Sequence, residues 1–237
     1  VSKGCDVDKT SSKITTLIHQ DFIRRYIQTK TPERGLLVYH GLGSGKTATS
    51  IGVIEANHSS KKVVVMLPAS LQDNYQLEIK KLGPTLFGRG IAQDKPYSWY
   101  FKRIDSENMK RVSDKTKIPK DIITKNGGIY EIHSDKDEPG QYWDDMTDEE
   151  RKRLSNQING MLLAQITFIR YNGLNKERAM ALNLDDSIIV IDEVHKISGM
   201  VRNRGTLQGG IGKILYSKIK NAKNSKVIAL SGTPLVN

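Results

Sequence analysis

The sequence predicts an α/β fold, a mostly parallel sheet with helices on both faces and an inserted subdomain. Three observations point there. Short apolar runs recur at residues 36–39, 62–67, 187–191 and 227–230, and each runs straight into a turn rich in small or polar residues. Between most of them apolar residues return at helical spacing. From residue 84 to about 146 that rhythm breaks up under glycine, proline and charge, too long a stretch for a bare loop in a compact domain.

Residues 1 to 13 are rich in Ser, Lys, Asp and Thr and read as a loose leader. From Thr16 a helix is expected, with Ile18, Phe22, Tyr26 and Ile27 on one face and Pro32 closing it. Gln20 lies within it. Leu36, Leu37, Val38 and Tyr39 then read as a strand buried on both faces.

That strand runs into Gly41-Leu42-Gly43-Ser44-Gly45-Lys46-Thr47, after which Ala48, Ile51, Val53 and Ile54 suggest a buried helix face. Strand, glycine-rich loop, Gly-Lys-Thr and helix make the P-loop arrangement. Phosphates need several backbone N–H groups aimed at one point, and side chains would block the approach. Lys46 is expected on the β and γ phosphates of ATP, and the Thr47 hydroxyl on Mg²⁺. The strict pattern asks for glycine where this chain has His40.

Residues 62–67 form a second buried strand, ending in Pro68-Ala69-Ser70, and Leu71, Tyr75 and Ile79 mark a helix stopped by Gly83-Pro84. The broken stretch carries Tyr97, Trp99, Tyr100, Phe101, Tyr142 and Trp143, with Lys102, Arg103, Lys110, Arg111, Lys115, Lys117 and Lys120 close behind the first cluster. Such a mixture suits single-stranded nucleic acid; a solvated insertion packed by its own aromatics explains it as well. Acidic clusters at 135–138 and at Asp144-Asp145 argue against a uniform binding groove.

Thr147 and Glu150 have the spacing of a capping box, opening a helix with Leu154, Ile158, Met161 and Leu162 on one side. Residues 164–170 look strand-like and lead to Tyr171-Asn172-Gly173-Leu174. The cleanest strand, 187–191, delivers Asp192-Glu193-Val194-His195 to its C-terminal end, where ligands bind in open α/β sheets. Apolar residues followed by Asp-Glu form a Walker B motif, with Asp192 expected in the Mg²⁺ shell and Glu193 on the attacking water. Residues 199–212, with Arg202, Arg204 and several glycines, look like a mobile loop. Ile211, Ile214, Leu215 and Ile219 then suggest a helix before the last strand and its Ser231-Gly232-Thr233-Pro234 turn.

Composition narrows the class. At 237 residues the chain can bury one sizeable core, or two small ones. Mean hydropathy is −0.47, and no apolar run approaches the ~20 residues that cross a bilayer, so an intracellular protein that is not secreted is expected. A lone cysteine, Cys5, excludes an internal disulfide and leaves no cysteine set for zinc. The formal charge of +11 makes nucleic acid the first partner to consider.

Gln20, residues 41–47, 68–70, 192–195 and 231–234 appear in the order of the superfamily 2 motifs and span nearly the whole chain. The chain therefore resembles the N-terminal RecA-like lobe of a DExH-type helicase or Swi/Snf-like translocase. Its loop from Val38 to Thr47 looks most like those of helicases and transcription ATPases of nucleocytoplasmic large DNA viruses. The resemblance implies that Gln20 reads the adenine edge, and that Pro68, Ala69, Ser70, Tyr171 and Asn172 face a DNA or RNA strand. It implies that His195, Ser231 and Thr233 couple the two sites. It further implies a second RecA-like lobe beyond residue 237, ATP and Mg²⁺ in the cleft, stepping along one strand, and transcription machinery as a candidate partner. A nucleotide-binding scaffold or transcription-factor interaction module without motor activity is the alternative.

Overall fold

The computed structural model describes residues 18–28, 31–39, 41, 45–57, 60–82, 98–132, 140–203 and 205–233. Leu42, Gly43, Ser44, Arg204, Pro234, the leader, residues 135–138 and the side chain of Asn172 lie outside the described residues.

Five strands make one parallel sheet: β1 (Gly35–Tyr39), β2 (Lys62–Leu67), β5 (Ile166–Arg170), β6 (Ser187–Ile191) and β7 (Lys226–Ser231), in the order β1-β7-β6-β2-β5. Parallel neighbours need crossovers, and the helices supply them. On one face lie α1 (Ile18–Tyr26), α2 (Lys46–Asn57), α3 (Gln72–Leu82) and α6 (Asp148–Gln165), whose Ile23, Ile51, Ile54, Tyr75, Ile79, Leu154 and Ile158 share a core with Val65, Val190 and Ile228. The other face holds α7 (Lys176–Ala181), α8 (His195–Arg202) and α9 (Leu207–Asn221); there Ile197 packs with Met66, Ile189 and Ile191. The predicted three-layer α/β architecture is what forms.

The registers bring the strand ends level. Tyr39 stands opposite Ser231, Ala229 opposite Ile191, Ile191 opposite Met66 and Leu67 opposite Arg170. Because all five strands run the same way, every turn that follows them opens on one rim of the sheet.

Between α3 and α6 stands the inserted unit, an antiparallel pair of β3 (Trp99–Arg103) and β4 (Gly128–Ile132) joined through α4 (Ser106–Thr116) and α5 (Lys120–Asn126). Its aromatics divide their duties. Trp99 and Tyr130 are buried in the main core, while Phe101 packs tilted on Tyr130 with ring centroids 5.0 Å apart and stays half-exposed. The Gln157 amide of α6 bonds both the N–H and the carbonyl of Tyr130, each at 2.8 Å, and so ties the unit to the sheet layer.

Four expectations need correction. β1 is an edge strand of the described sheet, so only Leu36 and Val38 pack inward; Leu37 and Tyr39 are 51% and 55% exposed. In α1 most of the predicted apolar stripe faces solvent, with Ile18, Phe22 and Tyr26 exposed; Ile27, just past the helix, is buried as expected, and Gln20 and Ile23 complete the buried side. Residues 199–212 are mostly helix, and two of the glycines allow close packing there: Gly209 against the Asn203 backbone, and Gly212, where a Cβ would lie 2.8 Å from the Met200 backbone. Finally, Ala164 and Gln165 complete α6, and the strand begins at Ile166.

Candidate active site

The rim gathers the motif residues. Lys46 and Thr47 open α2, whose first turn holds no acidic side chain, so its free N–H groups and positive dipole end face the rim unopposed. Just before it, Gly45 adopts φ +76°, the left-handed region, and a Cβ there would meet Gln20 Nε2 at 2.3 Å. The backbone conformation calls for glycine, and a larger residue would also displace the Gln20 amide. Gln20 is buried and its Nε2 donates to the Gly45 carbonyl at 3.4 Å, so the α1 amide touches the end of the loop itself. Lys46 Nζ reaches back to the Gly41 carbonyl at 3.3 Å, which keeps the ammonium over the loop mouth.

Across the rim, Asp192 follows the last residue of β6. Burial pushes its carboxyl up from the ordinary 3.8, and the charge of Glu193 adds to the rise. The Glu193 N–H, donating to Asp192 Oδ1 at 3.0 Å, and the ammonium groups of Lys46 and Lys196 work in the opposite sense. The Lys46 ammonium is thus among the charges that act on the Asp192 carboxyl. Glu193 has φ +51°, a conformation that costs a non-glycine residue and recurs at functional turns. Its Oε2 lies 3.2 Å from His195 Nδ1, which also meets Ser231 Oγ at 3.3 Å and Thr233 Oγ1 at 3.2 Å. The expected coupling residues thus form one cluster with the expected base.

Among the described residues, no cluster of three or more His, Cys, Asp or Glu could hold a metal ion. A Mg²⁺ ion carried by a triphosphate asks for less, one or two protein oxygens with phosphate and water completing its shell. One buried carboxylate, one hydroxyl and a cationic helix end fit such a group.

The expected nucleic-acid residues separate. Ala69 and Ser70 are exposed in a short 3₁₀ turn on the rim, whereas Pro68 before them is buried. Tyr171 is buried too. Its hydroxyl donates to the Asp192 carbonyl at 2.7 Å and lies 3.3 Å from that of Met66, so it braces the acidic strand end and offers no face to a strand.

Two contacts had no signature in the sequence. Ser50 donates to the Thr47 carbonyl at 2.7 Å and its hydroxyl pairs with that of buried Tyr75, also at 2.7 Å, which locks the first turn of α2 onto α3. Burial pushes the Tyr75 hydroxyl well above the usual phenol range, and the charge of Asp192 adds to that. Arg170 Nε donates to Gln72 at 2.6 Å and fastens the far end of the rim. Long-range pairs of this kind leave no spacing to read.

The sequence matches the family model described as type III restriction enzyme, res subunit (ResIII), over residues 13–236. The chain belongs to this family. It is a ResIII chain of the superfamily 2 helicase type. Relatives of this ResIII chain include three proteins of Acanthamoeba polyphaga mimivirus, each named "Putative ATP-dependent RNA helicase". They are 28% identical over 229 residues, 24% over 232 and 22% over 228, covering 94%, 92% and 92% of this chain. The chain spans only 30%, 17% and 21% of their lengths. Among solved structures, the Sulfolobus solfataricus SWI2/SNF2 ATPase core in complex with dsDNA is similar to it, with 20% identity and a TM-score of 0.44. That match covers 92% of this chain and 31% of the other.

Proposed function

We propose that this chain is the ATP-binding lobe of a nucleic-acid-dependent motor, one that couples ATP hydrolysis to movement along, or unwinding of, DNA or RNA. The observation that supports the reading is that Lys46 and Thr47 open α2 at a helix N-terminus with no acidic side chain, while the Asp192 carboxyl, next after β6, is pushed up by burial and drawn back down by the Lys46 ammonium. Backbone amides around Gly45 cradle the phosphates, and Lys46 neutralises the β and γ oxygens. Thr47 and Asp192 hold Mg²⁺, which when bound stabilises charge on the phosphate oxygens. Glu193 orients the attacking water and takes its proton. Its contact with His195 joins that step to Ser231 and Thr233, so a shift in this cluster moves the base. Gln20 supports the loop end through the Gly45 carbonyl, and its amide is the group we assign to reading the base edge. Ala69 and Ser70 offer an amide and a hydroxyl to a strand backbone.

The test uses the full-length protein. Glu193→Gln should keep ATP binding and lose most nucleic-acid-stimulated turnover; normal turnover in that variant would remove Glu193 from its role. Comparing stimulation by DNA with stimulation by RNA assigns the track, and RNA is the prediction that the named relatives favour.

A further inference from the structure

On the sheet face opposite α2, α9 presents a surface that the nucleotide site does not use. Lys213, Tyr216 and Lys220 are exposed at i, i+3 and i+7, on the side turned away from buried Ile211 and Leu215. Tyr216 is 56% exposed, and Lys223 follows just past the helix end, also exposed. From residue 194 to residue 237 the chain has eight lysines and arginines and no aspartate or glutamate. Not all of that charge is available, since Lys226 is buried with its ammonium on the carbonyls of Thr31 and Glu33. Lys213, Lys220 and Lys223 have no carboxylate within ion-pair distance among the described residues. The acids near the helix end are already engaged: Asp185 accepts the Lys223 N–H at 2.8 Å, and Asp186 accepts from the Asn224 amide at 2.6 Å.

A helix dipole favours cations in the last turn, which accounts for Lys218 and Lys220. Lys213 sits two turns earlier, where the dipole offers nothing. Burial does not account for Tyr216. Seven residues of helix set Lys213 and Lys220 roughly 10 Å apart along the axis, about three nucleotide steps of a strand.

We propose that this face of α9 binds the phosphate backbone of nucleic acid outside the rim, through Lys213, Lys220 and Lys223, with Tyr216 as a stacking platform for an unpaired base. The proposal rests on reading the chain as a motor lobe. Lysines on a phosphate backbone release counterions, and an exposed phenol ring flanked by them suits base stacking without sequence preference.

The test is nucleic-acid affinity of the full-length protein against salt, with a labelled single strand and a labelled duplex. Lys213→Ala with Lys220→Ala should lower the slope of log affinity against log salt by about 0.9 per lost contact on duplex, or about 0.7 on single strand. Tyr216→Ala should weaken single-strand binding roughly tenfold and leave duplex binding alone. ATP affinity should stay at the native value in both. Unchanged slopes in variants that fold and bind ATP would overturn the proposal, as would a loss on anionic lipid vesicles with none on nucleic acid. If the native protein bound no nucleic acid at all, the motor reading itself would fail; native binding with unchanged variants sinks the α9 face alone.

Discussion

Asp192 carries charge at a place that resists it. A carboxyl whose folded pKa is raised contributes stability that is present below its ordinary 3.8 and is lost as pH rises through the folded value. At neutral pH the native lobe therefore bears the cost of a buried carboxylate, offset in part by Lys46 and Lys196. Asp192→Asn should raise the melting temperature by roughly 2–4 °C at neutral pH, while Mg²⁺-dependent turnover disappears. Thermal melts across pH check the sign: the gap between variant and native should close as the pH falls and Asp192 takes up its proton. A gap that widened in acid would mean another group is responsible. Tyr171 makes a second residue-scale case. Removing its hydroxyl in Tyr171→Phe takes away the bond to the Asp192 carbonyl and should cost about 1 kcal/mol of stability. Nucleic-acid affinity should not change, since the ring is buried.

At the scale of elements, the pair α8 and α9 depends on an absent side chain. Gly212 approaches the Met200 backbone so closely that Gly212→Ala must push the helices apart, at a cost of roughly 1–3 kcal/mol of overpacking read in denaturant melts. Little or no loss would mean the contact yields easily. The same glycines explain why this region was hard to read: in sequence they suggest a loop, and in space they permit a tight helix crossing. Strands were more legible. The runs 62–67 and 187–191 match β2 and β6 because they are packed on both faces by helices, a condition that leaves a continuous apolar record. β1 reads equally apolar and yet lies at an edge, because composition cannot say which strand lacks a neighbour. The stripe of α1 misled for a different reason: a buried polar residue, Gln20, turns the helix so that its inward face includes an amide. The capping box at Thr147 was legible to the residue, with the Glu150 N–H on Thr147 Oγ1 at 3.3 Å and the Thr147 N–H on Glu150 Oε2 at 2.9 Å.

At the scale of the whole molecule, the outermost motifs lie 211 residues apart in sequence (Gln20 to Ser231) and come together because one parallel sheet sends all its C-terminal ends to one rim. That logic lets the sequence motifs be placed on the rim before their contacts are known. It leaves the role of the insertion and of the exposed α9 face unread, since neither has a motif. Among the described residues no helix is long and apolar enough to cross a membrane. The chain spans less than a third of the relatives it matches. Arginine stabilisation in related phosphoryl transfer is worth roughly 10³–10⁵ in rate. Residues 1 to 237 alone should therefore hydrolyse ATP far more slowly than the full-length protein under the same conditions, and equal turnover would locate the whole catalytic apparatus here. The central claim is narrower, that a magnesium triphosphate sits between the start of α2 and the end of β6. A crystal structure with Mg²⁺ and a non-hydrolysable ATP analogue tests it most directly. The phosphates should rest on the amides of residues 45–47, with Thr47 Oγ1 and Asp192 beside the metal; a nucleotide bound elsewhere, or a metal remote from Asp192, would contradict it.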